Sequence, residues 1–189
     1  MLRDPWSTLP SKYRYQHLKY RRILSALPGS NLQRCLDVGC GLGMLSRWLA
    51  TQIDQVVGVD WSITAIEQAR ALSTAISNLQ FEHVDLRLLC PDRHGAFDLI
   101  VVVDTLYYLS PLDEAVIKST RETLARLLTD DGYLLLANHF YLGIDGYSKI
   151  TRRLHAGFGW ATNLTRIVEE WRPFYLMTLY QKRSYGKAP

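Results

Sequence analysis

The sequence predicts an α/β protein: a doubly wound, mostly parallel sheet of seven strands, with an antiparallel C-terminal edge strand and a helix added at the N-terminus. Three observations carry this. Short apolar runs recur without polar alternation, as strands buried on both faces require. Helix-type stretches stand between them, so that each strand returns through a crossover to a parallel neighbour. A glycine-rich stretch, Asp37 to Gly43, directly follows the first run.

Residues 11–27 place Tyr13, Tyr20, Leu24 and Leu27 at helical spacings, and Pro28-Gly29 ends the pattern. Five strand-like runs follow, RCLDVG, VVGVD, LQFEHVD, FDLIVVVD and GYLLLAN, beginning near residues 34, 56, 79, 97 and 132. Between them, MLSRWLATQI, SITAIEQARALSTA and SPLDEAVIKSTRETLARLL have helical patterns. Ser62 stands as N-cap of the second of these. Ser110 stands as N-cap of the third, with Pro111 at the first helical position and Asp113 in the first turn. After Asn138 the chain is irregular, with a short helix around 147–155. RIVEEWRPFYLMTLYQK then supplies a closing strand, a turn at Pro173 and the antiparallel edge strand.

The 189 residues, 48% of them hydrophobic, suit one domain with a sizeable core. A formal net charge of +4 and a pI near 9.0 arise from 22 basic and 18 acidic residues that are interspersed, which gives nucleic-acid binding little support. Lys12, Arg14, Lys19, Arg21 and Arg22 fall in the leading helix, where a solvated face accounts for them. Cys35, Cys40 and Cys90 form neither an even disulfide framework nor a CxxC pair, and are expected as reduced thiols in or near the core of a cytoplasmic protein. No apolar segment has signal-peptide or membrane-spanning length, so neither export nor membrane insertion is expected. No metal-ligand cluster is recognised.

In a sheet of this kind ligands bind beyond the C-terminal strand ends, and the first strand-to-helix turn makes the usual contact. A dinucleotide loop G-x-G-x-x-G starting at Gly39 and Gly41 would put its third glycine at position 44, which is Met44. The third glycine is instead Gly43, giving D-x-G-x-G-x-G. Asp60 ends the second strand, where a carboxylate can accept both hydroxyls of a ribose. Asp85 ends the third and can take the exocyclic amine of a purine, while Trp61 offers a flat face for the base. Singly, the glycines could form only a tight turn and each aspartate could cap a helix. Their joint placement at successive strand ends favours a nucleoside-containing ligand.

Together these residues resemble the class I S-adenosylmethionine-dependent methyltransferases, whose sheet is Rossmann-like, and the resemblance runs from about Leu32 to Leu136. It implies S-adenosyl-L-methionine as cofactor and S-adenosyl-L-homocysteine as product. By the same resemblance Asp37, Gly39, Cys40, Gly41 and Gly43 lie under the methionine part, Asp60 with Trp61 binds the ribose and base, and Asp85-Leu86 meets the adenine. FDLIVVVDTLYYL, 97–109, matches the fourth-strand motif, with Val103 among the cofactor-binding residues, and LLTDDGYLLL, 127–136, matches the fifth. A cofactor without a pyrophosphate also explains how the loop dispenses with a glycine at 44.

The similarity extends to the nodulation protein S group, N-methyltransferases acting on the free amine of a chitooligosaccharide precursor. D-P-W at 4–6, YQHLKY at 15–20 followed by ILSALP, and D-x-x-Y-Y-L-S-P at 104–111 carry it. It implies that Lys19 and Tyr20 meet the cofactor's carboxylate; as residues alone they belong to an ordinary amphipathic helix. The expected partition of the single domain, 1–189, is a helical lid (1–30), a cofactor-binding core (31–137) and a substrate-side segment with closing strands (138–189).

A sulfonium methyl is already activated, so the protein's main task is alignment of nucleophile, carbon and sulfur, for which pre-organisation supplies about 7–11 kcal/mol in favourable cases. The candidate catalytic residues are Asp104, Tyr108 and His139. Asp104 either receives a proton, holds a substrate ammonium or caps the next turn; His139 is either a general base or a hydrogen-bonded structural group, and His155 has a weaker claim. Strand alternation predicts Tyr107 as lid and Tyr108 as core. Trp6, Tyr107, Phe140, Tyr141, Tyr147, Phe158 and Trp160 either ring a mouth suited to a sugar face or belong to the core. The expected acceptor is a small molecule or saccharide bearing an amine or hydroxyl, used by a monomer or homodimer. Nucleic-acid methylation is the rival, motivated by Arg152, Arg153, Arg166 and Arg172. Base-amine enzymes, however, carry D/N-P-P-Y/F where this chain has Asp104-Thr105-Leu106-Tyr107. A silent cofactor-binding partner subunit is the other alternative.

Overall fold

Strands β1 (Arg34–Val38), β2 (Gln55–Asp60), β3 (Leu79–His83), β4 (Phe97–Val103), β5 (Leu128–His139), β6 (Leu164–Trp171) and β7 (Tyr175–Lys182) form one sheet in the order β3-β2-β1-β4-β5-β7-β6. The computed structural model describes residues 14–29, 32–109, 111–159 and 163–184. The pairs from β3 through β5 are parallel, whereas β7 runs antiparallel to both β5 and β6. Strand order reverses at β1, which lies between β2 and β4, and the C-terminal ends of these strands are where open α/β sheets bind ligands.

The helices are α1 (Arg14–Ala26), α2 (Met44–Leu49), α3 (Ile63–Ala71), α4 (Pro91–His94), α5 (Glu114–Leu127) and α6 (Gly146–Gly159), with short 3-10 turns at Leu86–Leu88 and Leu106–Tyr108. The sheet separates two apolar cores. Tyr20 and Ile23 of α1, Met44 of α2 and Ile66 of α3 pack with Leu99, Val101, Leu135 and Met177 on one face. Ile117 and Leu124 of α5 and Phe158 of α6 pack with Leu36, Ile100, Leu134 and Tyr180 on the other. Burial of both faces explains why the central strands need unbroken apolar runs.

Ser62 caps α3 as predicted, its Oγ accepting the Ala65 N–H at 3.3 Å. The cap of α5 is Asp113, not Ser110, because the Asp113 carboxylate takes the Val116 N–H at 2.8 Å. Pro111 therefore precedes the helix, and Ser110 lies outside the described residues, as do Trp6, Lys12, Tyr13 and Trp160. The short helix expected around 147–155 is the 14-residue α6. Asp145 accepts the Ser148 N–H at 2.7 Å at its start, and Leu154 and Phe158 extend its apolar face. The antiparallel C-terminal strand is present, but β7 sits one place in and β6 forms the edge. The first six residues of β7 are all buried, whereas β6 exposes much of its length.

α6 also delivers His155 into the core, where its Nε2 donates to Asn138 Oδ1 (3.1 Å) and its Nδ1 accepts from Thr178 Oγ1 (2.7 Å), a neutral arrangement. Burial first, and the Lys19 charge second, push this imidazole down to about 3. The unfolded chain therefore binds a proton below its own value of about 6.5 that the native state does not. Stability contributed by the neutral ring is complete above that value and is lost as pH falls towards 3, by up to about 1.4 kcal/mol per pH unit. His155→Gln is expected to flatten the decrease in urea midpoint between pH 7 and pH 5.

Candidate functional site

The loop after β1 turns through three left-handed glycines, Gly39 (φ 74°), Gly41 (φ 53°) and Gly43 (φ 70°). They serve different ends. A Cβ on Gly39 would lie 2.1 Å from Thr105 Oγ1 and one on Gly43 2.4 Å from Phe81, whereas one on Gly41 would meet nothing within 4 Å. Two glycines thus allow close packing, and the third leaves bare backbone facing open space. Gly39→Ala is expected to cost at least about 2 kcal/mol in urea denaturation, through strain and overpacking together. Gly41→Ala should cost only the left-handed penalty of about 1–2 kcal/mol and act instead on ligand affinity, which titration with S-adenosylhomocysteine measures.

The loop is fixed from β2. Gly39 and Cys40 donate their N–H groups to Val59 O at 2.8 and 3.0 Å. Asp60, 8% exposed, accepts the Gly41 N–H on Oδ2 and the Ser62 N–H on Oδ1, both at 2.9 Å. Each carboxylate oxygen keeps a second acceptor position, beside the one glycine whose Cα is uncrowded.

Other residues of the loop face inward. Asp37 is buried and accepts from Ser46 Oγ at 2.5 Å, tying β1 to α2. Burial, opposed by the Ser46 hydroxyl and aided by the Asp60 charge, raises its carboxyl to about 7. The Cys40 thiol is also buried, near Gly58, and burial pushes it well up. Leu86 and Val103 are buried in opposite cores. Trp61 is exposed, with its carbonyl 2.7 Å from His83 Nε2. Asp85 shows the capping arrangement: it accepts the Arg87 N–H at 2.9 Å and pairs with the Arg87 guanidinium, which holds it below the usual carboxylate range.

At the ends of β4 and β5 the chain places its other charges. Asp104 is left-handed (φ 53°), an uncommon state for a residue with a side chain, and is held there by its N–H donating to Ala137 O at 2.8 Å. Its Oδ2 receives Lys19 Nζ at 2.5 Å, and its Oδ1 is buried without a hydrogen-bond partner. The Lys19 side chain is 1% exposed, and its nitrogen stands 5.5 Å from the centre of the Tyr175 ring. Tyr20 packs edge-on against Trp48. The pair suggested by resemblance for one cofactor carboxylate thus divides: Lys19 meets Asp104, and Tyr20 joins the core.

Tyr107 is half-buried and Tyr108 exposed, the reverse of the predicted order, because residues 106–108 leave the strand and turn as a 3-10 helix. Burial and then the Asp104 charge push the Tyr107 phenol up. His139 is half-buried; its Nε2 donates to Asp145 Oδ2 at 3.2 Å, and its ring packs edge-on to Tyr147. Tyr147 also meets Tyr107. Tyr141 stacks on Phe174, which takes Tyr15 edge-on. Phe140 and Phe158 are core residues, not mouth residues. Tyr15, Phe174 and Tyr175 are not among the candidate residues of the sequence; Phe174 and Tyr175 follow the Pro173 turn inside a run whose pattern signals only strands, and that turn is the one local sign of their place.

Among the described residues no group of three or more His, Cys, Asp or Glu is gathered as for a metal ion, and no helix is long and apolar enough to cross a membrane.

Comparison with known proteins agrees with this geometry. Nodulation protein S of Sinorhizobium fredii is 27% identical over 135 residues, covering 71% of this chain and 60% of that protein. Ubiquinone biosynthesis O-methyltransferase of Albidiferax ferrireducens is 33% identical over 79 residues, covering 41% of this chain and 31% of that protein. The chain therefore spans from under a third to about three fifths of these curated relatives. The crystal structure of N-methyltransferase NodS from Bradyrhizobium japonicum in complex with S-adenosyl-L-homocysteine superposes with a TM-score of 0.81 at 19% identity, over 97% of this chain and 94% of that one. A family model described as a methyltransferase domain matches residues 35–132, just over half the chain. With the glycine loop, Asp60 and the C-terminal ends of β1 to β4 lying inside that match, the chain belongs to the methyltransferase-domain family.

Proposed function

We propose that the protein transfers a methyl group from S-adenosylmethionine to the amine of a small molecule, with an amino sugar or short chitooligosaccharide as the leading acceptor. The observation that carries this reading is the strand switch, where Asp60, tied to the uncrowded Gly41, and Asp104 stand at the same end of the sheet. These residues fit the cofactor: the left-handed Gly41 leaves room where a Cβ would intrude, and Asp60 keeps acceptor positions for a ribose diol. When bound, the cofactor supplies an electrophilic methyl on a sulfonium whose leaving group departs neutral.

The chain's own residues supply the rest. Asp60 orients the ribose and Gly41 admits the donor close to the backbone. Asp104 holds the acceptor as an ammonium and takes one of its protons, which frees the lone pair that attacks the methyl carbon, and the product leaves as the methylated ammonium. Tyr107, Tyr108, Tyr147 and His139 line the acceptor side and exclude water, and their ring faces suit the apolar side of a sugar. We assign residues 1–30 as the lid, 31–137 as the cofactor-binding core and 138–189 as the substrate-side segment. Cys35, Cys40 and Cys90 are free thiols, which supports action in the reducing cytoplasm; the proposed assembly is a monomer or homodimer.

The Bradyrhizobium japonicum neighbour is an N-methyltransferase, which supports nitrogen over oxygen as the accepting atom. The test is incubation with isotopically labelled S-adenosylmethionine against amino sugars, chitooligosaccharides, simple amines, phenols and RNA. Label on an amine bears the proposal out. Label on RNA alone, or on nothing while the donor binds, replaces it with a nucleic-acid enzyme or a silent subunit.

A further inference from the structure

We infer that Asp104 and the tyrosines around it form a pocket for an organic ammonium group, and that Lys19 of α1 fills this pocket in exchange with the acceptor. The inference rests on the proposed reaction for the acceptor's identity, and on the geometry alone for the pocket. A lysine normally keeps its nitrogen in water and buries only its stem. Lys19 does the opposite: its side chain is 1% exposed and its Nζ lies 2.5 Å from Asp104 Oδ2. The Tyr175 ring centre is 5.5 Å from the same nitrogen. The Asp104 charge also bears on Tyr15 and Tyr107, whose phenols it helps to push up.

A carboxylate walled by aromatic rings is the chemistry that recognises ammonium groups. Neutral acceptors, such as an N-acetylated amine or an alcohol, cannot replace the charge. Asp104 is also prepared for a second contact, because its Oδ1 is buried without a partner while its backbone is kept left-handed. Lys19 reaches this point on four methylenes from α1, so its nitrogen can withdraw without unpacking Ile23 or Tyr20, which anchor that helix in the core. The neighbouring His155 is a buried, neutral imidazole bonded to Asn138 and Thr178 and offers no competing charge. The acceptor class is therefore cationic amines, and Lys19 is a specificity-determining residue that weak or neutral ligands fail to displace.

The probes are n-butylammonium chloride and its neutral counterpart n-butanol, titrated into the full chain as wild type, Lys19→Met, Lys19→Gln, and each combined with Asp104→Asn. Methionine keeps the apolar stem and removes the competing charge; glutamine serves if that variant does not fold. Affinity for n-butylammonium is expected to rise at least tenfold in Lys19→Met or Lys19→Gln, with no gain for n-butanol, and the gain is lost when Asp104→Asn is added. Equal affinities in wild type and both Lys19 variants, or an equal gain for n-butanol, overturn the pocket. The titration needs no turnover, so a failure of methyl transfer refutes the proposed reaction separately.

Discussion

Asp60→Ala is expected to weaken S-adenosylhomocysteine binding by at least about 100-fold. Two losses combine. The ribose loses its charged acceptor, where each hydrogen bond to an ionised group contributes about 1.5–3 kcal/mol. The glycine loop loses its tether, since the same carboxylate holds Gly41 N–H and Ser62 N–H at 2.9 Å. Asp60→Asn separates the two, because one amide oxygen can still accept a backbone N–H while the second position becomes a donor. It should bind with intermediate affinity and lose about 1–3 kcal/mol of stability, because one of the two backbone N–H groups then faces the amide NH2. Calorimetric titration reads the affinities and thermal unfolding the stability, and unchanged affinity in Asp60→Ala would refute the cofactor assignment.

Asp104→Asn is expected to lower turnover by about 100- to 10,000-fold, the usual range for losing a positioned proton acceptor. Donor affinity should stay within about twofold, since no contact of Asp104 belongs to the glycine loop. Asparagine tolerates left-handed backbone better than most residues, so φ 53° can be kept and the change isolates the charge. Stability should also fall, by up to about 3 kcal/mol if Lys19 stays buried without its anion and by less when its nitrogen withdraws to water. Combining Lys19→Met with Asp104→Asn decides what that carboxylate does. If it only partners Lys19, stability and turnover both return; if it acts on the acceptor, stability returns and turnover does not.

The fold was legible where a rule acts over a few residues or repeats along the chain. Unbroken apolar runs betray strands covered on both faces, and Ser62 could be identified as a cap because its oxygen needs only the amide three residues on. Asp113 and Ser110 were both chemically fit to cap α5, and only the packing of that helix chooses between them. The alternation rule misplaced Tyr107 and Tyr108 because it assumes the strand continues, and the backbone tightens at Leu106. In the site, D-x-G-x-G-x-G and Asp60 follow from one strand-helix unit and were readable. Lys19 against Asp104 was not, since 85 residues separate them and no local pattern foretells a helix laid across the sheet. Asp85 carried two readings in the sequence, and Arg87, two residues away, draws it to the capping one.

The place of β7 bears on how the chain acquires its structure. Strands β1 to β5 pair among themselves, but β6 has no partner except β7, which is made after it and lies between it and the rest of the sheet. β6 therefore cannot add to a growing sheet as it emerges during synthesis. It must wait for β7, joining it either as a hairpin that docks against β5 or after β7 has seated there. Until then the apolar β5 edge stays open, and the nascent chain passes through a state with an unpaired strand available to a second copy. Tyr175, a wall of the ammonium pocket, arrives with β7, so the acceptor side of the site is completed only when that strand has docked.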